Sequence, residues 1–120
     1  MTTSEITDTG TVITTEGAIR EIVGVAARQV PGVADLGGGA ARVLGALRER
    51  IPGAARSEGQ GVSVELGETQ VAVDLDVVAR YGVPVTELAH LVRGTVAAAI
   101  RRATDLEITE INVEITDITA

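Results

Sequence analysis

Val71, Val73, Leu75 and Val77 alternate with Ala72, Asp74, Asp76 and Val78, a period of two that predicts a strand with one buried face. Tyr81-Gly82-Val83-Pro84 breaks that alternation. From Val85 to Ala103 the apolar residues Leu88, Leu91, Val92, Val96, Ala99, Ile100 and Ala103 recur at three- and four-residue spacing, which predicts an amphipathic helix. The helix opens either with Pro84 at its first position or with Thr86 as its cap. Glu87 falls in its first turn and Arg101 and Arg102 in its last, as the helix dipole favours. Ile111, Val113 and Ile115 then alternate with Asn112, Glu114 and Thr116. Leu106 and Ile108 are out of phase with that run, so a turn or bulge is expected near Thr109-Glu110. The C-terminal half is thus a strand–helix–strand unit.

Upstream, Met1–Gly10 reads as a flexible, frayed tail, and Thr11–Thr14 as a short strand leading to a cap at Thr14 or Thr15. Ile19, Ile22, Val23, Ala26 and Val30 mark a first helix, stopped by Pro31-Gly32. Val33–Leu36 is a short strand, and Ala40, Val43, Leu44 and Leu47 suggest a second, weaker helix before the loop Gly53–Gly61. Val62, Val64 and Leu66 alternate with Ser63 and Glu65, and Gly67–Gln70 is the turn of a hairpin into the Val71 strand. Gly24 and Gly94 each sit inside a helix. Such a glycine costs roughly 1 kcal/mol against alanine, so close packing is expected to offset it at both. The assembled expectation is an α+β two-layer domain over residues 11–117: a small mixed sheet with the Ile19 and Leu88 helices on one face, and a variable insert at 40–60.

Composition narrows the function. At 120 residues the chain holds one domain with a core of Val, Ile, Leu and Ala, since Phe, Trp and Cys are absent and Tyr81 is the sole aromatic. Without cysteine there is no disulfide framework, thiol catalysis or cysteine-bound zinc. One tyrosine builds no base-stacking platform, and a net charge of −7 repels phosphate backbones. No apolar run approaches the roughly 20 residues that span a bilayer, and the polar, acidic start differs from a secretory signal. The reading expects a cytoplasmic protein.

Candidate chemistry is sparse. His90, the single histidine, has Glu87 as its nearest acid at helical spacing and reads as a surface residue rather than a base. Asp74 and Asp76 share a strand face with Arg80. Paired carboxylates serve glycosidases or cations, but these lack a cleft and further ligands, so a solvated surface is the simpler reading. Glu110, Asn112 and Glu114 line the last strand in the same way. Gly37-Gly38-Gly39 lacks the spacing and the lysine of a phosphate loop. Against this background, Arg42, Arg48, Arg50 and Arg56 stand out as a net positive island in an acidic chain, suited to an acidic partner or an anionic membrane surface.

Several segments resemble the alkaline-shock-protein family of bacterial envelope-stress proteins. These are Gly10-Thr11-Val12-Ile13-Thr14, Val30-Pro31-Gly32-Val33, Val71–Val78 with Tyr81-Gly82-Val83, and Leu106–Val113. Pro84-Val85-Thr86 stands where members carry a Ser-Ile-Pro-like run. The resemblance implies a non-enzymatic scaffold of Gram-positive-type bacteria. Such a scaffold forms homo-oligomers and gathers at the inner face of the membrane through a membrane-anchored protein partner. It brings no catalytic residues, cofactor, metal, small-molecule substrate or nucleic acid. Arg42, Arg48, Arg50 and Arg56 are the chain's own candidate partner-binding residues. The alternative is a small nucleic-acid- or ligand-binding module, against which the acidic charge and missing aromatics argue.

Overall fold

The computed structural model describes residues 2–7, 10–37 and 60–120. Thr2–Thr7 (β1) pairs antiparallel with Gly10–Thr15 (β2) in a two-stranded sheet, so the tail expected at 1–10 contains a strand. Thr15 ends β2 and caps the first helix, Glu16–Arg28 (α1): its Oγ1 accepts the Ala18 N–H at 3.2 Å, satisfying one donor that the first helical turn leaves unpaired. Ile19, Val23, Ala26 and Ala27 form the buried face of α1.

The main sheet contains Val33–Leu36 (β3), Val62–Leu66 (β4), Gln70–Arg80 (β5) and Glu107–Thr119 (β6). β5 is its axis. Along one edge, Val71–Leu75 pairs antiparallel with β4, and Val77–Ala79 with β3. The exchange occurs at Asp76, whose carbonyl accepts from Gly37 N at 2.7 Å and whose N–H donates to the Gly61 carbonyl at 2.9 Å. A Cβ on Gly61 would lie 2.3 Å from Gly37 N, and Gly61 has φ +80°. The two strand ends can therefore meet there because position 61 carries no side chain.

The other edge of β5 carries β6 in parallel. Parallel neighbours need a crossover, supplied by the second helix, Val85–Ala103 (α2). Pro84 is the N-cap of α2 rather than its first residue, and Thr86 is inside the helix; the expected start was one position out in the first form and two in the second. Proline suits this place because its extended ψ of 112° ends the preceding turn, while its carbonyl accepts the Leu88 N–H at 3.0 Å. At the far end Thr104 stops the helix, its N–H and hydroxyl both donating to the Ile100 carbonyl.

Both helices pack on one face of the sheet and against each other. One cluster joins Ile19 and Val23 of α1, Leu88, Val92, Val96 and Ile100 of α2, and Val73, Leu75 and Val77 of β5. This is the expected two-layer α+β arrangement with a mixed sheet. Three details differ. Leu91, read as part of the apolar stripe, is 58% exposed, since α2 turns it to solvent, and Ala103, in the last turn of α2, is exposed too. Val113 and Ile115 point inward but stay half-buried, at the margin of the sheet beyond β5. Gly24 is buried, yet a Cβ on Gly94 would meet nothing within 4 Å, so no close packing explains it.

Candidate functional site

The face of the sheet opposite the helices presents Ser63 and Glu65 from β4, Asp74 from β5, and Glu110, Asn112 and Glu114 from β6, all exposed, with Asp76 half-buried. The alternation that buries Val73, Leu75 and Ile111 makes this placement unavoidable. Asp74 stands opposite Ser63 on one side and Asn112 on the other, and Asn112 Nδ2 donates to Asp74 Oδ1 at 2.9 Å. Asp76 is opposite Glu114. The pair Asp74 and Asp76 is therefore part of a broad acidic, solvated surface, in agreement with the sequence reading, and no group of three or more metal-ligating side chains occurs among the described residues. His90 and Glu87 are exposed on α2.

Two bulges shape β6. The register with β5 shifts between Val71 and Ala72 and again between Val77 and Val78, leaving Thr109 and Thr116 as the extra residues. Each hydroxyl donates to the β5 carbonyl at the shift: Thr109 Oγ1 to Val71 O at 3.2 Å, and Thr116 Oγ1 to Val77 O at 3.4 Å and Gly37 O at 3.0 Å. The first bulge is the one expected from the phase of Leu106 and Ile108. The second carries no comparable signal, because the residues after Thr116 are too few to show a new phase.

A second feature is the seam between the helices. Ile22, Val25 and Ala26 of α1 face Ala99 and Ala103 of α2 across an open groove of about 490 Å³, with Glu21, Gln29 and Arg102 at its rim. Sequence reasoning also passed over the Arg28–Asp35 ion pair. Arg28 Nη1 meets Asp35 Oδ1 at 2.8 Å, and the same oxygen accepts the Leu36 N–H, tying the last turn of α1 to β3. Seven residues and a Pro-Gly turn separate the two, so no helical or strand spacing announces the contact. Arg42, Arg48, Arg50 and Arg56, together with Gly38 and Gly39, lie outside the described residues.

Comparison with known proteins adds a family. The model of the alkaline shock protein 23 family, with a cell envelope-related function, matches residues 4–120. The chain belongs to this family. It is 37% identical over 100 residues to a stress response regulator gls24 homolog of Streptococcus pyogenes, covering 83% of this chain and 54% of that protein. The chain thus spans about half the length of those curated relatives. It is also 32% identical over 114 residues to the uncharacterized protein YqhY of Bacillus subtilis, covering 95% of this chain and 81% of that one. A solved structure of the MamM CTD aligns with 83% of this chain and 82% of its own length, at 15% identity and a TM-score of 0.49. Envelope function and stress response, rather than a reaction, describe this family and its gls24-type members. No helix among the described residues is long and apolar enough to cross a membrane.

Proposed function

We propose that the chain is a non-enzymatic scaffold of the cell-envelope stress response, which self-associates and is brought to the membrane by a protein partner. The observation that carries this reading is a family with an envelope-related function built on a sheet whose second face is exposed and polar over Ser63, Glu65, Asp74, Glu110, Asn112 and Glu114. Such a layer presents a broad, rigid surface for contacts with other chains. The carboxylates on that face, Glu65, Asp74, Glu110 and Glu114, are exposed. Together they repel nucleic acid.

Light scattering of the purified protein across concentration should show a mass that rises above the monomer. In cells the chain should sediment with membranes, and protease treatment of those membranes before re-addition of the chain should abolish rebinding, because the receptor is protein. A monomer at every concentration would remove the self-association half. Equal binding to protein-free vesicles would remove the recruitment half.

A further inference from the structure

β5 occupies one edge of β6, and among the described residues no strand pairs with the other. An unpaired edge exposes a row of backbone donors and acceptors, which proteins usually protect with lysine, proline or bulges. β6 contains no lysine, arginine or proline. Its bulges fall at Thr109 and Thr116, leaving Glu110–Ile115 as one regular run. The inward residues Val113 and Ile115 pack against the core beneath α2 yet stay half-buried, so part of their apolar surface is open at this margin of the sheet.

The geometry points to this edge as the docking site for an extended segment of a partner protein, added as a further strand and carrying arginine or lysine at alternate positions. The claim rests on the reading that a protein partner recruits the chain, and it names the surface and the chemistry. Successive residues of a strand turn their N–H and C=O to opposite edges. The Ile111 carbonyl is taken by Arg93 Nε, at 3.2 Å, reaching round from α2, which marks Ile111 as turned outward; Val113 and Ile115 follow by alternation. An edge acceptor of this strand is thus already matched by a guanidinium.

Charge selects the occupant. On the outer face the run carries Glu110 and Glu114, with Asp74 and Asp76 on β5 behind them. A partner strand whose alternate residues are cations would place them beside these carboxylates, at cross-strand distances that reward opposite charges. A second copy of β6 would do the reverse. It would gather both copies' Glu110 and Glu114 on one face without any cation from either strand, and like charges there are destabilising.

The test titrates the isotopically labelled full chain with a short synthetic peptide alternating arginine and valine. A matched peptide, N-methylated at alternate residues, keeps the charge and loses the main-chain donors. Binding should slow hydrogen exchange at the Ile111, Val113 and Ile115 amides and weaken as salt rises. The methylated peptide and a Glu110→Lys, Glu114→Lys variant should each bind at least about tenfold more weakly. That variant's thermal midpoint should match the parent's, because both side chains are exposed. A peptide alternating aspartate and valine should bind the variant in place of the parent.

Equal binding of the methylated peptide, protection at another edge, or no binding by the parent would overturn the inference. So would protection of these amides on concentrating the chain alone, which would make the edge a self-interface. In cells, loss of the variant from membranes that retain the parent supports the edge, and unchanged association overturns it. A parent chain that never associates with membranes counts against the recruitment reading alone, since the peptide titration decides the edge independently.

Discussion

Leu88 and Leu91 are three residues apart on one helix, yet the first is 1% exposed and the second 58%. Leu88→Ala should cost roughly 2–5 kcal/mol through lost burial and the cavity left behind, and Leu91→Ala less than about 0.5 kcal/mol. Urea denaturation of both variants checks this, and comparable losses would mean that the phase of α2 is wrong. Gly94 and Gly61 make a second contrast. A methyl at Gly94 meets nothing within 4 Å, so Gly94→Ala should gain about 1 kcal/mol from helix propensity alone and raise the melting temperature by a few degrees. A Cβ added at Gly61 would lie 2.3 Å from the Gly37 nitrogen, and φ there is +80°. Gly61→Ala should therefore lose more than about 1 kcal/mol, by prising apart the ends of β3 and β4. Thermal melts that show the same sign for both substitutions would contradict this geometry.

At the scale of elements, β6 depends on β5 for its pairing and on its bulges for its aim. Without the extra residue at Thr109, Ile111, Val113 and Ile115 would be displaced to the acidic face, since a one-residue slip turns every side chain over. The Thr109 hydroxyl bonded to Val71 O fastens that bulge. Thr109→Val should cost about 1 kcal/mol, the net worth of one such bond, and should accelerate hydrogen exchange around Ile108–Ile111 more than in α1. Uniform acceleration across the molecule would show that the hydroxyl supports global stability and has no special hold on the bulge. The Arg28–Asp35 contact plays a comparable part between α1 and β3. Arg28→Met should cost about 1–3 kcal/mol, as for other hydrogen bonds to charged groups, read by the same urea transition.

Over the whole molecule the distribution of charge matters more than any one group. The described sheet presents an acidic face, while Arg42, Arg48, Arg50 and Arg56 form the one cationic stretch legible in the sequence. If that stretch holds an acidic partner or lipid, its attraction is screened over about 8 Å at physiological salt. Replacing all four by Gln should then reduce membrane association in cells and leave the melting temperature unchanged. Unchanged association would assign recruitment to the sheet edge or to the seam between α1 and α2.

The alternation in Val71–Val78 and Ile111–Ile115, and the three- and four-residue spacing in both helices, determined the elements, their buried faces and the mixed two-layer fold. These are local properties, because a period of two or of 3.6 is written in neighbouring residues. The resemblance of Val71–Val78 and Leu106–Val113 to alkaline-shock proteins likewise lay in the sequence, and the family match over residues 4–120 agrees with it. Tertiary structure alone decided which of two leucines in one stripe is covered, that Gly61 and Gly37 meet beside Asp76, that Arg28 reaches Asp35, and that β6 has an edge with which no strand among the described residues pairs. Each depends on the distance between segments remote in sequence. Hydrophobic periodicity states which way a side chain turns, and only the placement of the next layer states whether anything is there to meet it.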